Sequence, residues 1–174
     1  MNFARLCDII VYNVIYSLLY IFSEVAMNNS KYDCLKLKGQ LCFPLYAASR
    51  EVIKRYRPHL DKIGLTYTQY IVMMVFWEEK TQNVKQLGEK LYLDSGTLTP
   101  VLKSLESKGY LRRYRSQIDE RVLTVEITEA GEALKDAALG IPEKMKEHVG
   151  ISQEESYELY KLLYKLLDQA PKFD

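Results

Sequence analysis

The residues of this chain whose types suit chemistry are few: three cysteines, two histidines and a group of closely spaced arginines. Cys42 stands out, set in Gln40-Leu41-Cys42-Phe43-Pro44-Leu45-Tyr46-Ala47-Ala48-Ser49-Arg50. Pro44 would lose a backbone bond deep in a helix but is tolerated in a first turn, which places Cys42 at or near a helix start. There the aligned peptide dipoles favour the thiolate, the reactive form of cysteine. Two readings stay open on spacing alone, a reactive thiol and a small buried core residue. The cysteines form no C-x-x-C pair, so they make neither a disulfide framework nor a zinc site. His59 and His148 each stand alone among charged helical neighbours, and both are expected at the surface. Metal-assisted or Ser–His chemistry therefore has little to draw on, and no glycine-rich phosphate loop is present. The expectation is a non-enzyme without metal or cofactor.

Charge is almost balanced, with 24 basic against 23 acidic residues, and its distribution says more than its sum. Residues 98–121 carry six basic side chains (Lys103, Lys108, Arg112, Arg113, Arg115, Arg121) against three acidic ones (Glu106, Asp119, Glu120), a local +3. Residues 129–174 carry six basic and ten acidic residues, a local −4. One positive patch thus sits on a neutral chain, as a local nucleic-acid contact would require.

The elements that must position these residues are legible in periodicity. At 174 residues and 48% apolar, the chain fits one domain of ordinary size. Leu41, Leu45, Ala48, Val52, Tyr56 and Leu60 recur at helical spacing, predicting a helix over 41–62 that ends at Gly64. Arg50, Lys54, Arg55 and Arg57 lie on its other flank. Thr66-x-x-Gln69 is a capping box. It opens a helix whose run Tyr70-Ile71-Val72-Met73-Met74-Val75-Phe76-Trp77 is apolar all round and so should be buried, Met73, Met74 and Trp77 included.

Asn83 then caps a short helix, and Tyr92-Leu93-Asp94-Ser95 turns into another, with Asp94 or Ser95 as N-cap and an end near Lys108. Leu98, Val101, Leu102 and Leu105 form its inner stripe, leaving Thr97, Thr99, Lys103 and Ser104 on the other face. Residues 110–115 and 122–127 alternate like two antiparallel strands. Helix, turn, helix and a basic hairpin make a winged helix-turn-helix, so the fold class is mostly α with a small β-hairpin wing. Thr128 caps a helix running towards Ile141-Pro142, and Ser152-x-x-Glu155 caps the last, striped with Leu159, Leu162, Leu163 and Leu166.

The first 26 residues do not match this pattern. Residues 9–22 hold only Asn13 and Ser17 as polar members, too short a run for a membrane span and poor as a signal peptide. Met27 is an alternative start, since Glu24-Val25 can be encoded by a stretch containing a ribosome-binding core. The expected organisation is an apolar extension at 1–26 and one domain over 27–174, with the winged helix at 80–128 and a helical dimerisation region from 36–65 and 129–174.

At this point the chain resembles the MarR family of bacterial winged-helix regulators, and within it the organic hydroperoxide resistance regulators. Gln40-Leu41-Cys42-Phe43, Tyr46-Ala47-Ala48-Ser49-Arg50-Glu51, the run Leu91-Tyr92-Leu93-Asp94-Ser95-Gly96-Thr97-Leu98-Thr99-Pro100 and Asp119-Glu120-Arg121 carry the likeness over residues 36–142. The resemblance implies a cytoplasmic homodimeric repressor of the single-cysteine type. Cys42 would be oxidised by organic hydroperoxides and capped by a small thiol, and the operator would be released. Family tyrosines that bond this cysteine fall on Tyr56 and Tyr67, with Tyr46 nearby. Tyr56 lies fourteen residues beyond Cys42, roughly 21 Å along one helix, so such a contact must come from the partner subunit. Cys34 and Pro44 depart from the family pattern, Cys34 as either a bystander or an unexpected resolving thiol.

The second helix of the motif would present Ser95, Thr97, Thr99 and Lys103 to the major groove, a face without the Arg, Asn or Gln of strong bidentate readout. Arg121, held by Asp119, suits a narrow A·T-rich minor groove, and Arg112, Arg113 and Arg115 suit phosphates. Two such heads call for a pseudo-palindromic operator. The alternatives are a MarR-type repressor released by a small aromatic ligand and, more remotely, a thiol peroxidase. The latter lacks the alternating strands and helices of a thioredoxin-like sheet. A membrane-tethered regulator arises only if residues 1–26 are translated.

Overall fold

Among the described residues, helix α1 (Cys42–Leu60) is the first long element, preceded by two single 3-10 turns, Asp33–Leu35 and Leu37–Gly39. The computed structural model describes residues 31–115, 121–146 and 150–169, and the chain divides into two compact units, Met1–Val52 and Ile53–Asp174. The doubtful extension 1–26, the wing tip at 116–120 with Asp119, and His148 lie outside the described residues. No described helix is long and apolar enough to cross a membrane.

Helix α1 gives way to a 3-10 turn, Asp61–Ile63, and stops at Gly64, whose φ of 67° is left-handed. The backbone N–H of Leu65 closes the end on Leu60 at 3.0 Å. The expected capping box opens α2 (Tyr67–Glu79): the N–H of Gln69 donates to Thr66 Oγ1 at 3.3 Å, and that of Thr66 to Gln69 Oε1 at 3.1 Å.

Val72, Met73 and Phe76 of α2 are wholly buried, and Tyr70, Val75 and Trp77 nearly so. Met74 corrects the expectation of burial all round: it is 46% exposed. Successive turns bring Tyr67, Ile71 and Met74 onto one side, and that side is the one the rest of the unit leaves incompletely covered.

After α2 comes a strand that periodicity did not reveal, β1 (Thr81–Asn83). Three polar residues show no alternation. Pairing with a distant partner makes the strand. The sheet order is β1-β3-β2, all antiparallel, with β2 (Leu111–Arg115) and β3 (Leu123–Ile127) forming the hairpin. Gln82 faces Val125, and Arg113 faces the same residue from the other side.

Between β1 and β2 lie α3 (Val84–Leu91) and α4 (Ser95–Ser107), capped by Asn83 and Asp94 as expected. Leu98, Leu102 and Leu105 are buried and Val101 half-buried, but Ser104 is half-buried on the core side instead of facing out. Thr128 caps α5 (Glu129–Ala138), which stops short of the expected end. In a continuous helix Pro142 would clash with the carbonyl of Ala138 and offer it no N–H. The chain instead restarts as α6 (Ile141–Lys146), with Pro142 in its first turn. The last helix, α7 (Gln153–Leu167), has the expected capping box at Ser152 and no buried residue.

The turn between α3 and α4 depends on Gly88. The N–H groups of Tyr92 and Leu93 both donate to its carbonyl, with Tyr92 in the left-handed region at φ 53°. A Cβ at Gly88 would sit 2.7 Å from the carbonyl oxygen of Leu93, a backbone atom that cannot turn aside. Gly88→Ala is expected to destabilise the protein by about 1–3 kcal/mol through this overpacking, read from urea unfolding midpoints. Unchanged midpoints would show that the turn opens freely.

Candidate redox site and nucleic-acid interface

In the first unit, Cys42 is the first residue of α1 and is exposed within this chain. Pro44 lies in the same first turn, where its missing N–H costs nothing. Leu41, Phe43 and Tyr46 around it are exposed. The Tyr46 hydroxyl accepts from Arg50 Nη1 at 2.7 Å, and the same guanidinium lies 5.4 Å from the ring centroid. Cys34 is also exposed, and its carbonyl accepts from Gln40 Nε2 at 2.5 Å.

In the second unit, Tyr56 and Tyr67 meet edge to face with ring centroids 5.0 Å apart. Tyr70, which sequence reasoning placed in the core without a role, joins them at 6.0 Å from Tyr56 and continues to Trp77 at 6.1 Å. Burial raises the phenol values of all three above 10.0, with mutual repulsion adding for Tyr67 and Tyr70. They stay protonated at neutral pH and can donate. The signal for Tyr70 was its i, i+3 spacing from Tyr67. His59, expected at the surface, is half-buried, and its Nδ1 is buried with no hydrogen-bond partner.

The exposed face of α4 carries Ser95, Thr97, Thr99 and Lys103 as expected. Two of the hydroxyls are already engaged as donors. Thr97 Oγ1 donates to Asp94 Oδ2 at 2.9 Å, and Thr99 Oγ1 to the Ser95 carbonyl at 2.7 Å. Their methyl groups and remaining lone pairs are what a groove would meet. The Thr97 N–H, and after it the Thr97 hydroxyl, hold the Asp94 carboxyl below its ordinary value.

The arginines divide. Arg112 pairs with Glu126 directly across the hairpin at 2.8 Å yet keeps most of its side chain exposed. Arg113 is drawn inward: Nη2 and Nε donate to Glu106 Oε2 at 2.5 and 2.9 Å, and its backbone N–H to Oε1 at 3.2 Å. Its side chain is only 19% exposed, so its charge serves the junction of wing and α4. Arg115 and Arg121 are exposed at the two ends that flank the wing tip.

This geometry has close relatives. The family model described as "Transcriptional regulator SarA/Rot" matches residues 54–138. The organic hydroperoxide resistance transcriptional regulator of Bacillus subtilis is 47% identical over 142 residues, 80% of this chain and 95% of that protein. The chain belongs to the MarR family, in its organic hydroperoxide resistance branch. The regulator SarZ of Staphylococcus haemolyticus is 48% identical over 119 residues, 68% of this chain and 81% of that protein. Reduced AbfR bound to DNA, a Staphylococcus epidermidis protein, superposes with a TM-score of 0.66 at 33% identity, covering 80% of this chain and 97% of that one.

Within this MarR fold the Arg113–Glu106 tie has a pH signature. The hydrogen bonds from Arg113 hold the Glu106 carboxyl below its ordinary 4.5. A depressed carboxylate contributes stability that is present above its unfolded value and is lost as pH falls through the folded one. The wild type is therefore expected to exceed Glu106→Gln in unfolding free energy at pH 7, by well under the value of a fully buried pair because the site is partly exposed. The gap should close at acid pH, once Glu106 takes up its proton in the folded state, in matched urea titrations. A gap that persists there would assign the difference to packing.

Proposed function

We propose that this chain is a homodimeric repressor that holds a DNA operator when reduced and releases it when an organic hydroperoxide oxidises Cys42. The observation that carries the reading is the exposed Cys42 thiol on the first residue of a 19-residue helix, in a chain 47% identical to an organic hydroperoxide resistance regulator. An accessible sulfur is one that a peroxide can reach. The thiolate attacks one peroxide oxygen, the S–O bond forms as O–O breaks, and the alkoxide leaves and takes a proton. A small thiol then condenses with the sulfenic acid to a mixed disulfide and water. Cys42 is consumed stoichiometrically in this reading, which is not enzymatic.

Tyr56 and Tyr67 are the proposed hydroxyl donors to the sensor sulfur, with Tyr46 beside it and held by Arg50. Tyr56 lies fourteen residues beyond its own Cys42 in sequence, too far for a contact within one helical stretch, so this reading takes the donor from the partner subunit. The exposed apolar residues Tyr157, Leu159, Leu162, Leu163 and Leu166 of α7 support dimerisation, as contiguous apolar surface calls for a partner.

On DNA, Ser95, Thr97, Thr99 and Lys103 read the major groove, and Arg112 and Arg115 position phosphates. Arg121 enters a minor groove that is narrow and A·T-rich, with Asp119 beside it in sequence. Two heads favour a pseudo-palindromic operator, and the site of action is the cytoplasm.

Cys42→Ser is expected to bind operator duplex as the wild type does and to stay bound under cumene hydroperoxide, measured by gel shift. Release of the Cys42→Ser protein by peroxide would sink the sensing role. Arg121→Ala is expected to weaken specific binding by about ten- to a hundred-fold with little change on G·C-centred duplexes, read by fluorescence anisotropy. Equal losses on both duplexes would reduce Arg121 to a phosphate contact.

A further inference from the structure

Gln69 is the single buried polar or charged residue among the described ones, at 6% exposure. Such a group is held in place by its bonds, because in a low-dielectric interior losing a partner is costly. Its amide reaches in two directions. Oε1 accepts from the Thr66 N–H at 3.1 Å, closing the first turn of α2, and also from Lys108 Nζ at 3.0 Å. Nε2 donates to Ser104 Oγ at 2.9 Å. Lys108 in addition donates to the carbonyl of Gly64 at 2.6 Å, where the extension of α1 ends. The C-terminal part of α4 is thus bonded to the loop that joins the two tyrosine-bearing helices.

The tyrosines sit on that same turn. Tyr67 and Tyr70 flank Gln69 in sequence, and Tyr56 packs against both at 5.0 and 6.0 Å. A displacement of these rings has to move the first turn of α2, and with it the amide. Apolar contact is non-directional, so the leucines that bury α4 fix its position less sharply than directed hydrogen bonds do. A side-chain amide with three partners has one position that satisfies all of them.

We infer that Gln69 is a positioning residue that couples the tyrosine cluster to the DNA-reading helix through Ser104 and Lys108. The inference rests on the peroxide-sensing reading above and adds to it the joint through which oxidation reaches α4. Gln69 touches neither the thiol nor DNA.

The test uses the full-length protein and a fluorescent duplex selected from random DNA by the reduced wild type. The ratio of operator Kd after and before one equivalent each of cumene hydroperoxide and free cysteine is measured, with intact mass confirming the mixed disulfide on Cys42. Ser104→Ala removes only one partner and leaves the capping box, so it is expected to fold with a near-wild-type melting temperature. Its Kd ratio is expected to fall by about five-fold or more, the low end of ordinary allosteric coupling. Gln69→Leu should reduce the ratio at least as much, and the double variant no further than Gln69→Leu alone. Wild-type ratios in oxidised Ser104→Ala and Gln69→Leu would overturn the coupling while leaving the sensor reading intact. Additive losses in the double variant would also overturn it, by showing independent effects. A wild type that is oxidised yet keeps its operator would overturn the sensor reading itself, and the inference with it.

Discussion

The burial of α2 (Tyr67–Glu79) is the constraint on which the second unit depends. Val72, Met73 and Phe76 have no exposed surface, and β1, β3, α3, α4 and α5 are all laid against this helix. An apolar helix of this kind gains stability only by being covered, and covering it takes elements distant in sequence. The Trp77 indole N–H donates to the Gly131 carbonyl at 2.8 Å, fixing where α5 lies. A Cβ on Gly131 would meet the Tyr110 carbonyl oxygen at 2.3 Å, so the backbone approach there is as close as a glycine permits. The three-stranded sheet follows, since Tyr110 and Ile127 bound the strands that this approach aligns.

From that packing the parts proposed to face DNA inherit their positions. The buried leucines of α4 turn Ser95, Thr97, Thr99 and Lys103 outward by elimination. Glu106 binds the wing strand to the same helix through Arg113, so helix and wing present one surface. The positive patch read from charge counts is consequently smaller than it looked. Arg113 is spent on structure, and Arg112 shares its charge with Glu126.

The chemistry of a thiol and the reading of DNA occupy different parts of the chain, and a regulator needs them linked. Cys42 and Tyr46 belong to the first unit, and the tyrosine cluster and α4 to the second. Protonated, half-buried phenols of raised pKa are suited to donating to an anionic sulfur. The buried amide between those phenols and α4 adds directed hydrogen bonds to the leucine packing of the second unit.

Much of this was legible in one dimension because capping and amphipathic spacing are local. The boxes at Thr66 and Ser152, the caps at Asn83, Asp94 and Thr128, and the leucine stripe of α4 all formed where residue type and spacing put them. Cys42 at a helix start was likewise local, a consequence of Pro44. Other features were decided only by partners far away in the chain. The strand Thr81–Asn83 exists because β3 offers it a ladder, and Met74 is exposed because no described element of the second unit covers its side. Tyr70 acquires neighbours from another helix, Ser104 turns inward to meet Gln69, and Arg113 is claimed by Glu106. A sequence on its own states which groups want burial or a partner. Which partner each group receives depends on long-range packing, and only the tertiary structure decides that.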